Sequence, residues 1–130
     1  AVIELAAGGM HSLALRSDGS IIVWGSNEHE LASVPPLPKG ATYVEIAAGF
    51  AHCLARRSDG QVVAWGSNDF DQCAVPSLPK GLKYIEVAAS GNHSLARRSD
   101  GSVVAWGDSE HGLDTVPRLD PGIRVAPRSG

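Results

Sequence analysis

Short runs of strand-forming residues, bounded by glycine or by polar turns, recur along the chain. In its middle third these runs are residues 43–48, 52–57 and 61–65. Runs of this length between Gly, Asp and Ser clusters predict strands rather than helices. Ser58-Asp59-Gly60 separates the second run from the third. It favours a tight hairpin, because Gly accepts the positive φ that such a turn needs.

The third predicted strand is apolar on both of its faces. Alternation places Val62 and Ala64 on one face and Val63 and Trp65 on the other. A strand with two apolar faces is expected to be covered on both sides. The pattern therefore predicts an antiparallel sheet that packs between two neighbouring sheets.

The same pattern occurs three times, with a period of 41 residues and no insertion. We predict one domain, residues 1–130, with repeats at about 2–42, 43–83 and 84–124 and a tail at 125–130. One such unit cannot bury its own apolar surface, so the units must stack. Radial stacking gives a β-propeller. The predicted fold is therefore all-β, with three propeller blades, each a three- to four-stranded antiparallel sheet. Residues 73–75 are the candidate fourth strand, at an edge because Pro76 follows.

Composition and charge exclude some classes of partner. The net charge is −3, which gives no reason to expect nucleic-acid binding through bulk charge. No apolar run approaches the roughly 18 residues of a membrane span. Cys53 and Cys73 do not recur with the period, so we interpret them as free thiols. Free thiols weakly favour an intracellular, reducing compartment, and the sequence indicates nothing more about location.

The repeat resembles that of the regulator of chromosome condensation superfamily. The motif that carries the resemblance is Ala-Ala-Gly-x-x-His-Ser-Leu-Ala-Leu/Arg-Arg-Ser-Asp-Gly-x-Val-Val-Ala-Trp-Gly-Ser-Asn. With three copies of the motif in register, the resemblance covers residues 2 to about 119. The compact unit is similar to short-repeat versions such as the β-lactamase-inhibitor propeller. The resemblance implies a propeller, yet a closed ring needs about 4–8 blades. Either two chains pair as a homodimer with six blades, or the chain is part of a longer or mixed ring, or an open arc is capped within a larger complex.

The resemblance also implies a function without catalysis. We expect a scaffold, structural subunit or regulator that binds a protein partner of unknown identity. An enzyme-inhibitor module is the alternative, and a guanine-nucleotide exchange regulator is the second alternative. We predict no catalytic residue, no cofactor and no metal site.

The residues that recur with the period are predicted to be structural. Histidines on separate blades cannot converge on one ion, and the resemblance implies that each fastens its strand to a neighbouring backbone. Each Trp is expected to bury a large apolar area. These residues are His11, Trp24, Gly25, His52, Trp65, Gly66, His93, Trp106 and Gly107.

The loop that follows each third strand varies between repeats, and it is the candidate partner-binding site. Variable loops on a fixed frame are how repeat scaffolds present distinct contacts, although an ordinary solvated loop is the alternative. The candidate contact residues are Glu28, His29, Asp69, Phe70, Asp71, Glu110 and His111. Separately, Arg56 and Arg97 are predicted to pair with carboxylates between blades, and the recurring residues Glu4, Glu45 and Glu86 are the candidate partners.

Overall fold

The computed structural model describes residues 1–107, and this part of the chain is built from three antiparallel sheets of three strands each. The all-β prediction is thereby confirmed. A short 3-10 helix, Glu28–Glu30, follows the first sheet. The strands are β1 (Val2–Ala7), β2 (His11–Arg16), β3 (Ile21–Gly25), β4 (Tyr43–Ala48), β5 (His52–Arg57), β6 (Val62–Gly66), β7 (Tyr84–Ser90), β8 (His93–Arg98) and β9 (Val103–Gly107).

Each sheet is a meander in which the second strand lies between the first and the third. The first strand of every sheet carries a β-bulge; in β4 it lies between Tyr43 and Glu45. The extra residue changes the alternation, so Tyr43 joins Ile46 and Ala48 in the core shared with the first sheet. Glu45 and Ala47 face the other way, since Ala47 lies in the core shared with the third sheet. Because of the bulge, this six-residue strand contributes side chains to the cores on both sides of its sheet.

The apolar cores lie between successive sheets rather than within one. Strand β4 contacts both β1 and β2, and β7 contacts both β4 and β5. Leu13 and Leu15 of the first sheet pack against Ile46 and Trp65 of the second. The second sheet meets the third in the same manner. The three sheets are therefore three successive blades, as the apolar pattern predicts.

The predicted short fourth strand at residues 73–75 is absent from the described part of the chain. The backbone N–H of Ala74 donates to Asp71 O over 3.1 Å, and that of Val75 donates to Cys73 O over 3.0 Å. These local bonds occupy the groups that a ladder would need, so the segment forms a turn. Each described blade has three strands.

Among residues 1–107 the only described helical segment has three residues, and no helix is long and apolar enough to cross a membrane.

Candidate interaction surface

The recurring histidines join neighbouring blades. His11 Nε2 donates to the backbone oxygen of His52, 3.1 Å away in the next blade. His52 Nε2 lies 3.0 Å from Ser94 Oγ, and that hydroxyl donates to Gln72 O. Ser94 Oγ therefore accepts from His52, which places the proton of the neutral imidazole on Nε2. Each of the two rings links one blade to the next, so neither is free for chemistry.

Burial keeps these two imidazoles neutral. His52 is fully buried, and burial lowers its pKa to about 4, with a further contribution from the nearby His11 ring. Burial also lowers the pKa of His11, while its bond to the His52 backbone oxygen opposes the shift. Nδ1 of both rings has no hydrogen-bond partner in the described residues. A second ring proton would therefore be poorly satisfied, which agrees with the lowered pKa.

The tryptophans of the second and third blades are capped by the preceding repeat. Trp65 Nε1 donates to Leu31 O over 2.8 Å, and Trp106 Nε1 donates to Gln72 O over 2.8 Å. Both side chains are only 7% exposed, whereas Trp24 of the first blade is 51% exposed. The backbone oxygens of Leu31 and Gln72 thus contribute to the interfaces between successive blades, and the repeat motif alone does not reveal this role. Their spacing of 41 residues is the signal that would have found them.

Arg56 and Arg97 pair with two of the predicted glutamates, but each pair lies within one blade and not between blades. Arg56 Nε donates to Glu45 Oε1 over 2.9 Å, and Arg97 Nε donates to Glu86 Oε1 over 3.3 Å. In both cases the two residues are cross-strand neighbours of one blade, so the prediction of a pair between blades is wrong. Glu45 does reach the next blade, because its Oε1 also accepts from the Val87 N–H over 3.2 Å.

The three described blades have one end in common. It is formed by the turns between first and second strands, together with the loops that follow the third strands. The turns of successive blades are joined directly, since Met10 N–H donates to Phe50 O and Phe50 N–H donates to Gly91 O. Each loop begins beside its own turn, as Ser67 N–H donates to Ala51 O. We call this end of the molecule the loop end.

Asparagine side chains fix the shape of the loops. Asn27 Oδ1 accepts from the Ala32 N–H, and Asn68 Oδ1 accepts from the Cys73 N–H, both over 2.9 Å. In the second loop the Phe70 N–H also donates to Gln72 Oε1 over 2.8 Å. These bonds inside the loops hold their outer side chains on a defined frame.

The predicted contact residues within the described part of the chain lie together at the loop end. Glu28 and His29 belong to the 3-10 helix, and Asp69, Phe70 and Asp71 to the second loop, and all five are exposed. The other two candidates, Glu110 and His111, lie outside the described residues.

Sequence reasoning missed Phe50, which is exposed at the same end. A Cβ on Gly9 would overlap its ring, so Phe50 rests across the turn of the preceding blade. An aromatic residue in a Gly-bounded turn is the sequence signal that could have identified it.

The two ends of the three described blades differ in charge: the loop end is acidic, and the opposite end carries most of the Lys and Arg residues. The loop end comprises residues 8–10, 26–34, 49–51, 67–75 and 90–92, which contain four acidic residues and no Lys or Arg. At the opposite end, residues 16–20, 35–42, 57–61, 76–83 and 98–102 contain six Lys or Arg and three Asp. The loop end is therefore acidic, with Phe50 and Phe70 exposed among its carboxylates.

The ionisable groups of residues 1–107 do not assemble a metal site. In that range no group of three or more His, Cys, Asp or Glu could hold a metal ion. Both cysteines are free thiols, Cys53 buried and Cys73 half-buried. Burial raises the pKa of Cys53, and it raises the pKa of Cys73 to about 11.

Comparison with known families agrees with the repeated blade. The model of the regulator of chromosome condensation (RCC1) repeat matches residues 2–30, 43–72 and 84–113. The chain belongs to the RCC1-repeat family. Within the described residues, each matched segment contains the three strands of one blade, so the RCC1 repeats account for the period of the sequence. Comparison with curated protein sequences gives no significant match.

Several solved structures are similar to this chain. Prp20p from Saccharomyces cerevisiae, studied with its binding to Gsp1p and histones, gives a TM-score of 0.75 at 26% identity, over 90% of this chain and 33% of that one. Yeast RCC1 (Prp20) bound to Kap60 gives 0.70 at 26% identity, over 89% and 33%. Human WBSCR16 gives 0.74 at 20% identity, over 92% and 38%, which shows the fold alone. The chain thus covers 33% of the length of the first two proteins and 38% of the third.

Proposed function

We propose that this chain is a non-catalytic protein-interaction module that binds its partner at the loop end. The observation that carries the proposal is the exposure of Phe50 and Phe70 among acidic loops on a frame of joined blades. Aromatic side chains are the usual anchors of protein interfaces, and charge around them favours a partner of opposite sign. The expected partner presents an apolar segment flanked by Lys or Arg.

The similar structures support a partner that is a protein. Prp20p is described with Gsp1p and histones, and yeast RCC1 with Kap60. Histones are basic proteins, so they are a suitable probe for an acidic surface. The alternatives of an enzyme-inhibitor module and a guanine-nucleotide exchange regulator remain predictions from the resemblance. Whether a second copy or a larger complex completes the ring is a separate question, because the loop end is distinct from the faces that blades use to stack.

Binding of purified core histones to the chain at several salt concentrations tests the proposal. We expect Phe50→Ser and Phe70→Ser each to weaken binding by about thirtyfold, since truncating a hot-spot residue commonly costs about 2 kcal/mol. Val44→Ser and Ile85→Ser are the matched controls, because both residues are exposed and apolar but lie on first strands away from the loops. Controls that weaken binding as strongly as the Phe variants, or no histone binding at low salt, would overturn the proposal.

A further inference from the structure

The backbone that carries the Phe50 ring is held from both sides. Phe50 lies in the turn of the second blade, between the turns of the first and third. Its backbone oxygen accepts from the Met10 N–H of the first turn over 3.1 Å, and its own N–H donates to Gly91 O of the third turn over 2.8 Å. The ring is 54% exposed. An exposed aromatic side chain thus starts from a backbone position that two neighbouring turns fix.

The ring extends over Gly9 of the first turn, which is the equivalent residue 41 positions earlier. A Cβ on Gly9 would meet the Phe50 ring before any other group, because its three nearest atoms would be Cδ1, Cε1 at 2.7 Å and Cγ at 3.1 Å. Non-bonded carbon atoms prefer separations of about 3.5–4.0 Å. Gly9 does not have a positive φ, so its backbone conformation does not require glycine. The space that the Phe50 ring occupies does require it.

Nearby glycines have different physical reasons to be glycine. A Cβ on Gly8 would overlap the Gly49 oxygen and the His11 ring, so Gly8 serves the packing of the turn itself. Gly91, the third-turn equivalent of Gly9, has a φ of 54°, a backbone conformation that favours glycine. Among these three positions, Gly9 is the one where the missing side chain makes room for an exposed ring.

Phe50 also lies between the starting points of two acidic loops. The first loop begins beside the first turn, because Ser26 N–H donates to Met10 O over 2.9 Å. The second loop begins beside the second turn, because Ser67 N–H donates to Ala51 O over 2.9 Å. Each loop carries two carboxylates. A ring that extends from the second turn to the first therefore occupies the middle of the loop end.

We propose that Gly9 is the positioning residue for Phe50, because it leaves the space in which the ring is held over the first turn before any partner binds. This inference rests on the proposed function, since it concerns the same binding surface. An anchor that is already in place loses less conformational freedom when a partner binds, and that saving appears as affinity. Gly9 contributes through the Phe50 ring and needs no contact with the partner.

Binding of purified core histones to Gly9→Ala, to Phe50→Ser and to the double variant tests the proposal. We expect Gly9→Ala to weaken binding about three- to tenfold, the usual cost of ordering one side chain on binding. In the Phe50→Ser background the same change should have no effect, because the ring through which Gly9 acts is absent. This background is the matched control, since the substitution at position 9 is identical. Equal weakening in both backgrounds would overturn the proposal, as would full binding by Gly9→Ala.

Nuclear Overhauser contacts follow the ring directly and do not depend on binding. We expect contacts between the Gly9 Hα protons and the Phe50 ring protons in the free wild-type chain. Urea unfolding should show Gly9→Ala to be about as stable as wild type, since the backbone at this position accepts alanine. Wild-type spectra without these contacts would overturn the inference even if histones bind. Spectra with the contacts, in a chain that binds no histone, would support the placement of the ring by Gly9 and overturn the proposed function alone.

Discussion

The histidines that join the blades predict a loss of stability in weak acid. His52 has its pKa lowered from 6.5 to about 4 in the folded chain, mainly by burial. Between these values the unfolded chain binds a proton that the folded chain does not, so the free energy of unfolding falls as the pH falls. The contribution is fully present above pH 6.5 and is lost progressively towards pH 4. Since one pKa unit corresponds to about 1.4 kcal/mol, the loss attributable to His52 is about 2 kcal/mol at pH 5 and about 3 kcal/mol by pH 4.

Urea unfolding followed by tryptophan fluorescence, repeated at half-unit steps from pH 8 to pH 5, measures this slope. We expect His52→Gln to be less stable than wild type at pH 8, because its contact with Ser94 is perturbed, but to lose about 2 kcal/mol less on going to pH 5. His29→Gln is the control, since His29 is exposed in the 3-10 helix, and it should follow the wild-type slope. A wild-type stability that does not change between pH 7 and pH 5 would refute the reasoning, as would an unchanged slope in His52→Gln.

Three further predictions follow from single contacts. Gly66 and Gly81 both have positive φ, but a Cβ on Gly66 would lie 2.7 Å from Ala51 O while one on Gly81 meets nothing within 4 Å. Gly66→Ala should therefore lower the free energy of unfolding by at least about 2 kcal/mol more than Gly81→Ala, measured by urea titration. Glu45→Gln weakens the contacts to Arg56 and to the next blade, and it should cost about 2 kcal/mol in the same titration, whereas a negligible cost would contradict the bridging role. With its pKa raised to about 11, Cys73 should react slowly with a thiol reagent at pH 8 and become reactive on unfolding. Rapid reaction of the folded chain would contradict this.

The sequence predicts the blades well because it contains two periods, the alternation of side chains along each strand and the repeat of 41 residues. The period of two defines strands such as Gln61–Trp65, which the structure places one residue later as Val62–Gly66. The period of 41 defines the stacking. The bulge after Tyr43 is not visible in this pattern, because an extra residue shifts the alternation without changing composition. The turn at residues 73–75 was likewise hidden, since it depends on Asp71, which adopts positive φ.

The candidate site was predictable only in its location. Loop variability indicated the segments that carry Glu28 and Phe70, but not the turn that adds Phe50 to the same end. That addition depends on backbone bonds between blades, which sequence spacing does not specify. The location of the Arg56 pair was mispredicted for a similar reason, because alternation tells which face a side chain occupies but not which strand supplies its partner.

The cap that each repeat places on the tryptophan of the next has a consequence for how such chains change length. One repeat of the sequence consists of a blade and the loop that follows it. The contacts that hold two blades together, by contrast, are made between the loop of one repeat and the blade of the next. Duplicating 41 residues in register therefore adds one blade and one complete joint, and it leaves the two outermost surfaces chemically as they were. Adding or removing one such unit therefore leaves the remaining contacts between blades of the same kind as those described here.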